Sequence, residues 1–309
     1  MSDTPDVGVI RSALADAGEP VAAELDLRPM PGGASRDLWL IASGERRWVL
    51  RRDPVDEVAL SSREAEFAVQ CAAHNAGVPV PHPIVFGDFG TPGMLMGYVE
   101  GEAIPRRVLR AAPAGVVRQI GAALRALHDA DLSGLGEAPD DPCAAAIGAV
   151  RDELNAAGDA LPALELGLRW LIRSKPPPTT AGIVHGDLRL GNFIVGDDGL
   201  RAIIDWEFWH LGDPVEDLAW LCARPWRFGH DDKPAAGLGS FDELLDGLGA
   251  DVDRARLRWW DVISQAKWGA YCARQATLRR EGAHASLERT VLARRVAEAE
   301  WDMLELIDA

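Results

Sequence analysis

"GIVHGDLRLGNFIVGDDGLRAIIDWE", residues 182–207, decides how this chain is read. Residues 193–195 and 202–204 read as two strands joined by the turn "GDDG", because apolar runs flanking Asp and Gly signal a hairpin. Such a hairpin folds Asp205 back beside Asn192. A carboxamide and a carboxylate meeting there are hard oxygen ligands suited to Mg²⁺, an ion that keeps water and shares phosphate oxygens with a nucleotide. Asp187, one loop earlier, faces the same space, placed to orient an attacking hydroxyl or to accept its proton. The order is that of kinases, D-x-x-x-x-N followed by a second metal Asp, and the chemistry it describes is phosphoryl transfer.

Composition makes the pattern hard to reach by accident. With seven His, 29 Asp and three Asn in 309 residues, H-x-D-x-x-x-x-N is expected about 0.006 times. Turn-capping would explain each Asp or Asn singly. It does not explain why the hairpin and Asp205 fall into step with them.

The rest of the chain sets the frame. Its 48% hydrophobic content is enough for a sizeable core in one large or two moderate domains. A net charge of −16 argues against a nucleic-acid partner, since phosphate-backbone binding rests on clustered Lys and Arg. Cys71, Cys143, Cys222 and Cys272 stand far apart without C-x-x-C spacing, and no secretory apolar segment follows Met1. These features predict reduced, buried thiols and a cytoplasmic location. Charge interrupts the apolar runs too often for a bilayer span, so no membrane partner is expected.

A helix is expected over 4–17, then strands around 39–41 and 48–50, a helix over 57–76 ending at Gly77, and strands at 84–86 and 94–99. Beyond residue 102 the pattern turns helical, with apolar stripes from Val116 to Leu127 and over 151–174, 254–278 and 286–307. Residues 134–142, 175–180 and 229–240 read as loops, the last a candidate mobile segment. The chain thus divides into a sheet-containing lobe, 1–100, and a larger helical lobe, 101–309.

The strings "VHGDLRLGNFIV" (184–195), "AIIDWEFWHLGDPVEDLAW" (202–220) and "MPGGASRDLWLI" (30–41) resemble the aminoglycoside phosphotransferase family, small-molecule kinases related to protein kinases. Through "GGAS" and "VLRRDP" the chain is most similar to the branch that includes kinase domains fused to acyl-CoA dehydrogenases. The resemblance covers 25 to about 225. It implies an α+β, bilobal protein-kinase-like fold, ATP (GTP in some members) as phosphate donor, and Mg²⁺.

It also implies roles. "PGGAS" corresponds to the nucleotide-covering loop, with Gly32 and Gly33 allowing close backbone approach and Ser35 offering its hydroxyl to phosphate. Val49 and Arg51 share a strand face by period two, so Val49 can pack on adenine while Arg51 reaches the phosphates. The chain departs from the family's pattern at Arg36, where Asn is frequent, and at Arg51, where Lys is familiar and a guanidinium fork is no substitute for a point charge. Glu64 is the helix carboxylate expected to pair with Arg51, with Glu66 as the fallback. "MLMGYVEGE" corresponds to the linker between lobes, where Met96 borders the adenine pocket and the backbones of Gly97 and Val99 contact the base. His185 organises the catalytic loop instead of ligating metal, and Asp213 and Asp217 support that loop and the next helix. Most tryptophans are core; one or two line the acceptor pocket.

Taken together, the expectation is an ATP- and Mg²⁺-dependent kinase with Asp187 as catalytic residue, Asn192 and Asp205 as metal ligands, and a small-molecule hydroxyl as acceptor. Aminoglycosides, macrolides, sugars, amino alcohols and hydroxyacyl-CoA-type acids all satisfy it. A catalytically silent nucleotide-binding relative is the alternative. A metallohydrolase built on "HGD" is disfavoured, because the other histidines show no ligand spacing.

Overall fold

Strand alternation organises the first third of the protein. The computed structural model describes residues 4–30, 37–53, 62–282 and 287–308. Helix α1 (Val7–Asp16) starts at Asp6, whose carboxylate accepts from the amides of Gly8 and Val9 and so satisfies two donors that a helix start leaves open. Strands β1 (Asp26–Pro29), β2 (Asp37–Ser43) and β3 (Arg46–Arg52), helix α2 (Arg63–Asn75), and strands β4 (Pro83–Asp88) and β5 (Pro92–Gly97) follow. They form one antiparallel sheet ordered β1-β2-β3-β5-β4. Trp39, Ile41, Trp48, Leu50 and Leu95 occupy one face and pack on Ile10 and Leu14 of α1. Period two then puts Val49 and Arg51 on the other face, directly across from Met96 and Met94. One face of the sheet is spent on core, and the other is left for chemistry.

The remainder is mostly helical: α3 (Pro105–Ala111), α4 (Val116–His128), α5 (Pro142–Ala157) and α6 (Pro162–Arg173) precede β6 (Gly182–Val184). Strands β7 (Phe193–Gly196), β8 (Gly199–Ile203) and β9 (His210–Gly212) lead to α7 (Val215–Cys222), α8 (Phe241–Leu248), α9 (Arg254–Arg280), α10 (Leu287–Leu292) and α11 (Val296–Asp308). The apolar stripe of α4 enters a large buried cluster with α9, and fully buried Trp259 and Trp260 meet there edge to face at 5.1 Å. Among the described residues no helix is long and apolar enough to cross a membrane.

Several sequence expectations change here. The helix expected over 151–174 is two: Gly158 ends α5 in the left-handed conformation (φ 71°) and Pro162 opens α6, the usual asymmetry of helix ends. The one expected over 286–307 is broken by a 3₁₀ turn at Ala293–Arg295. The loop 229–240 is packed down, with Ala235 and Ala236 buried and Ala235 bridged to Gly239. Cys71 is only half-buried, while Cys143, Cys222 and Cys272 are buried, and all four are free thiols. The first part of the 57–76 helix lies outside the described residues.

Two further links position the site. The Ile203 amide donates to the Pro79 carbonyl (2.8 Å), and Val195 and Glu102 exchange backbone hydrogen bonds at 2.8 and 3.0 Å, so the β7–β8 hairpin is fastened to both halves. At the base of the hairpin's loop, β6 pairs with β9, a strand too short to read from sequence. Glu216 of α7 then binds His210 of β9 and Lys267 of α9, each at 3.1 Å, and Lys267 also donates to the Gly186 carbonyl. Burial alone would push the Glu216 carboxyl up; the cations at His210 and Lys267 overrule it and hold it at about 2.

This network fixes a pH window. A carboxyl lowered from its ordinary 4.5 to about 2 contributes stability above 4.5 that is lost as pH falls toward 2. His210 loses charge to burial but is raised on balance by Glu216, so its share is full below its ordinary 6.5 and disappears as pH rises through the elevated value. Thermal unfolding of Glu216→Gln should show a lower Tm at neutral pH and a flatter acid limb, with a cost below the roughly 3–5 kcal/mol of a wholly buried pair because its partners are half-exposed. In the core, Leu124→Ala removes a side chain with no exposure and should cost about 2–5 kcal/mol in urea titrations.

Candidate active site

The loop between β6 and β7 is shaped from beneath by one carboxylate. Asp217, wholly buried on α7, accepts from the backbone amides of His185 (2.7 Å) and Gly186 (3.0 Å). Burial pushes its carboxyl up, and the hydrogen bonds from the two amides pull against that. Gly186 has φ 79°, and a Cβ there would come within 2.4 Å of the Phe208 carbonyl oxygen, so only glycine fits. His185 completes the loop from within. Its Nδ1 accepts from the Asp187 amide (3.3 Å), which leaves Nε2 to carry the proton and donate to the Ile204 carbonyl (3.1 Å). The ring also packs on Trp206 at 4.7 Å. Both nitrogens are therefore used in tying the loop to the end of β8.

Asp187 emerges from this loop with its carboxylate surrounded by donors. Oδ1 accepts from Arg189 Nε (2.9 Å) and Trp220 Nε1 (3.2 Å); Oδ2 accepts from Asn192 Nδ2 (2.9 Å) and, less closely, Arg189 Nε (3.1 Å). Asn192 Nδ2 also donates to the Asp187 carbonyl (2.8 Å). Since both partners are acceptors, the amide nitrogen must face them, and Oδ1 is the atom Asn192 keeps for another purpose.

The hairpin supplies the next ligand. Phe193 pairs with Ile203, and the Ile204 amide donates to the Asn192 carbonyl at 2.9 Å, which places Asp205 one residue beyond Asn192's partner. Asp205 has φ 73°, a left-handed conformation that costs most residues about 1 kcal/mol or more but that Asp tolerates better. Arg51 of β3 reaches across to it, with Nη2 at 3.9 Å from Asp205 and 4.0 Å from Glu207. On its other side Arg51 binds Glu66 at 2.8 Å. Glu66 is fully buried and also paired with Arg63, whereas Glu64 is exposed. The expected Arg51–Glu64 pair is therefore corrected to Arg51–Glu66, because the helix turns position 66, not 64, toward the sheet.

Asn192 Oδ1 and the Asp205 carboxylate are the oxygens that could hold a metal here, and among the described residues no cluster of three or more His, Cys, Asp or Glu could do so. That set fits Mg²⁺, which takes one or two protein oxygens and fills its shell with water and phosphate; it does not fit zinc, which prefers His and Cys ligands.

At the proposed base site, Val49 lies half-buried opposite Met96. The Gly97 amide is already donated to the His82 carbonyl (2.8 Å), so of the two backbone contacts expected there only the Gly97 carbonyl and the Val99 amide remain as candidates. Gly33 and Ser35 lie outside the described residues. Sequence reasoning missed Arg189 and Trp220. Trp220 had a readable signal, since it lies three residues after Asp217 and so shares a face of α7 with it.

Comparison with known proteins bears on family and fold. The model of the APH phosphotransferase enzyme family matches residues 26–260. Acyl-CoA dehydrogenase family member 11 of Gallus gallus is 28% identical over 225 residues, covering 64% of this chain and 28% of that protein. The chain thus spans little more than a quarter of that relative's length. Among solved structures, a putative aminoglycoside phosphotransferase from Ralstonia eutropha JMP134 superposes with a TM-score of 0.80 over 98% of both chains at 18% identity. A spectinomycin phosphotransferase bound to ADP and spectinomycin gives 0.59 at 14% identity, over 98% of this chain and 95% of its own. The α+β, two-lobed architecture is common to them. With a family match across most of its length, this chain belongs to the APH phosphotransferase enzyme family.

Proposed function

We propose that the protein is a kinase that moves the γ-phosphoryl group of ATP, with Mg²⁺, to a hydroxyl of a small molecule. Residues 1–100 would hold the nucleotide, and 101–309 the catalytic loop and acceptor site. The observation that carries this reading is one continuous frame: Asp187 bonded to Asn192, and Asn192 held by hairpin register beside Asp205, which Arg51 reaches from the opposite lobe.

In this reading Asp187 orients the acceptor hydroxyl and takes up its proton as the hydroxyl oxygen bonds to the γ-phosphorus. The bond from that phosphorus to the β,γ-bridging oxygen breaks, and ADP leaves with the electron pair. Arg51, held by Glu66, offers its charge to the phosphates. A Mg²⁺ held by Asn192 and Asp205 would offset negative charge on them. Val49 and Met96 supply an apolar surface for adenine, with the Gly97 carbonyl and Val99 amide as polar contacts. Positioning and charge stabilisation supply most of the acceleration.

One observation favours the alternative of a silent nucleotide-binding relative, namely that the Asp187 carboxylate is already engaged by three N–H donors. ADP release measured across a library of hydroxyl compounds separates the two. Turnover that falls by about 10²–10⁴ in Asp187→Ala supports the kinase; turnover that survives the change at wild-type rate removes Asp187 from the mechanism. Asp205→Ala should abolish the thermal shift given by Mg·ADP while leaving the fold intact. Glu66→Gln should weaken nucleotide binding and Glu64→Gln should not, and equal effects would show that the Arg51–Glu66 contact has no part in it.

A further inference from the structure

Both carboxylate oxygens of Asp187 are engaged by its own neighbours. Each carboxylate oxygen accepts two contacts, from Arg189 and Trp220 on Oδ1 and from Asn192 and Arg189 on Oδ2. Three N–H groups make these contacts, the single Arg189 Nε–H being shared between both oxygens, so Arg189 spans the carboxylate and competes with a substrate hydroxyl for it. Asn192 and Trp220 are 3% and 5% exposed and fixed by the loop and by α7. Arg189 is different: its side chain is 31% exposed, and it belongs to the loop itself.

What surrounds Arg189 indicates where it would go. Its guanidinium lies over the Trp226 ring at 5.0 Å. Nη1 donates to the Leu190 carbonyl (3.2 Å), and a Cβ at Gly191 would stand 3.2 Å from that nitrogen, so glycine leaves the guanidinium its room. Trp226 in turn packs on Trp220 at 5.3 Å and edge-on to Trp268 at 4.9 Å. The indole nitrogens of Trp226 and Trp268 are buried with no hydrogen-bond partner, an arrangement that calls for an acceptor not present in the protein. Lys267 lies over Trp220 (4.9 Å). The wall offers two indole N–H donors, Lys267 beside it is already held by Glu216 and the Gly186 carbonyl, and the one acid two turns before Trp268 on α9, Asp261, has Arg227 as its neighbouring cation.

We infer that Arg189 is a removable plug on Asp187: an anionic group on the acceptor draws the guanidinium off the carboxylate and toward the indole wall, freeing Asp187 for the hydroxyl. The acceptors are therefore small hydroxy compounds that carry a carboxylate or phosphate. This rests on the kinase reading above and adds the substrate class. It also explains how the resting enzyme withholds Asp187 from water, which would otherwise bond through its oxygen to the γ-phosphorus, release ADP and inorganic phosphate, and pass its proton to Asp187.

The test compares wild type, Arg189→Lys, Arg189→Ala and an Asp187→Ala/Arg189→Ala double variant, each with Mg²⁺ and ATP. Without acceptor, Arg189→Ala should hydrolyse ATP roughly ten-fold or more faster than wild type, on the scale of one charged hydrogen bond; Arg189→Lys should lie between them, and the double variant should lose the gain. With matched acceptors (a hydroxy carboxylate, a hydroxyalkyl phosphate, the neutral methyl ester and the amino alcohol), wild type should favour one or both anionic forms by a similar factor. Arg189→Ala should erase that preference, and the two anionic arms tell carboxylate from phosphate. Hydrolysis that falls in Arg189→Ala together with transfer to every acceptor would place Arg189 on the phosphoryl group and overturn the inference, as would a wild type that prefers the amino alcohol. A protein that gives no Mg·ADP thermal shift and no ADP in any variant would instead sink the kinase reading, and the plug with it.

Discussion

Two peptide amides ending on one buried carboxylate hold this structure's chemistry in place. Asp217 sits with no solvent exposure and takes the N–H groups of His185 and Gly186. A buried amide left without a partner is costly, so the loop has a single low-energy path. Asp187 follows from that path, because its amide falls on His185 Nδ1 and its carboxylate on Trp220, three residues along α7 from Asp217 itself. One helix thus fixes both the backbone of the loop and the side chain it presents.

The second constraint is electrical. Arg51, Glu66 and Arg63 are nearly removed from water, with Asp53 and Asp205 at the edges. Charges so placed survive only when each has an opposite neighbour, and the network therefore couples the sheet, α2 and the hairpin end. An arginine in place of the familiar lysine suits this task, since its fork can address Glu66 through one nitrogen and Asp205 through another.

Much of this was legible in the sequence, and the pattern of what was not is physical. The hairpin could be read because its apolar pairs and its Asp/Gly turn are local, and its register then places Asp205 beside Asn192 without further information. The face shared by Val49 and Arg51 followed from strand period. Glu66 could not be preferred over Glu64, because which side of a helix faces a sheet depends on packing that spacing alone does not specify. Strand β9 is three residues long, too short for any periodicity to register. The break at Gly158 was visible as a Gly and a Pro four residues apart, but the apolar spacing on either side ran on in phase and hid it. Arg189 was in plain view beside Asp187, yet its contact depends on a side-chain fold-back that no spacing rule encodes.

The fastening of the β7–β8 hairpin carries a mechanical consequence. One of its strands is bonded to Pro79, between α2 and β4, and the other exchanges two bonds with Glu102, at the end of the linker string. Any rocking of one half against the other must then pivot near the hairpin's root. Points on a pivot hardly travel, so under such a motion Asn192 and Asp205 would keep their spacing.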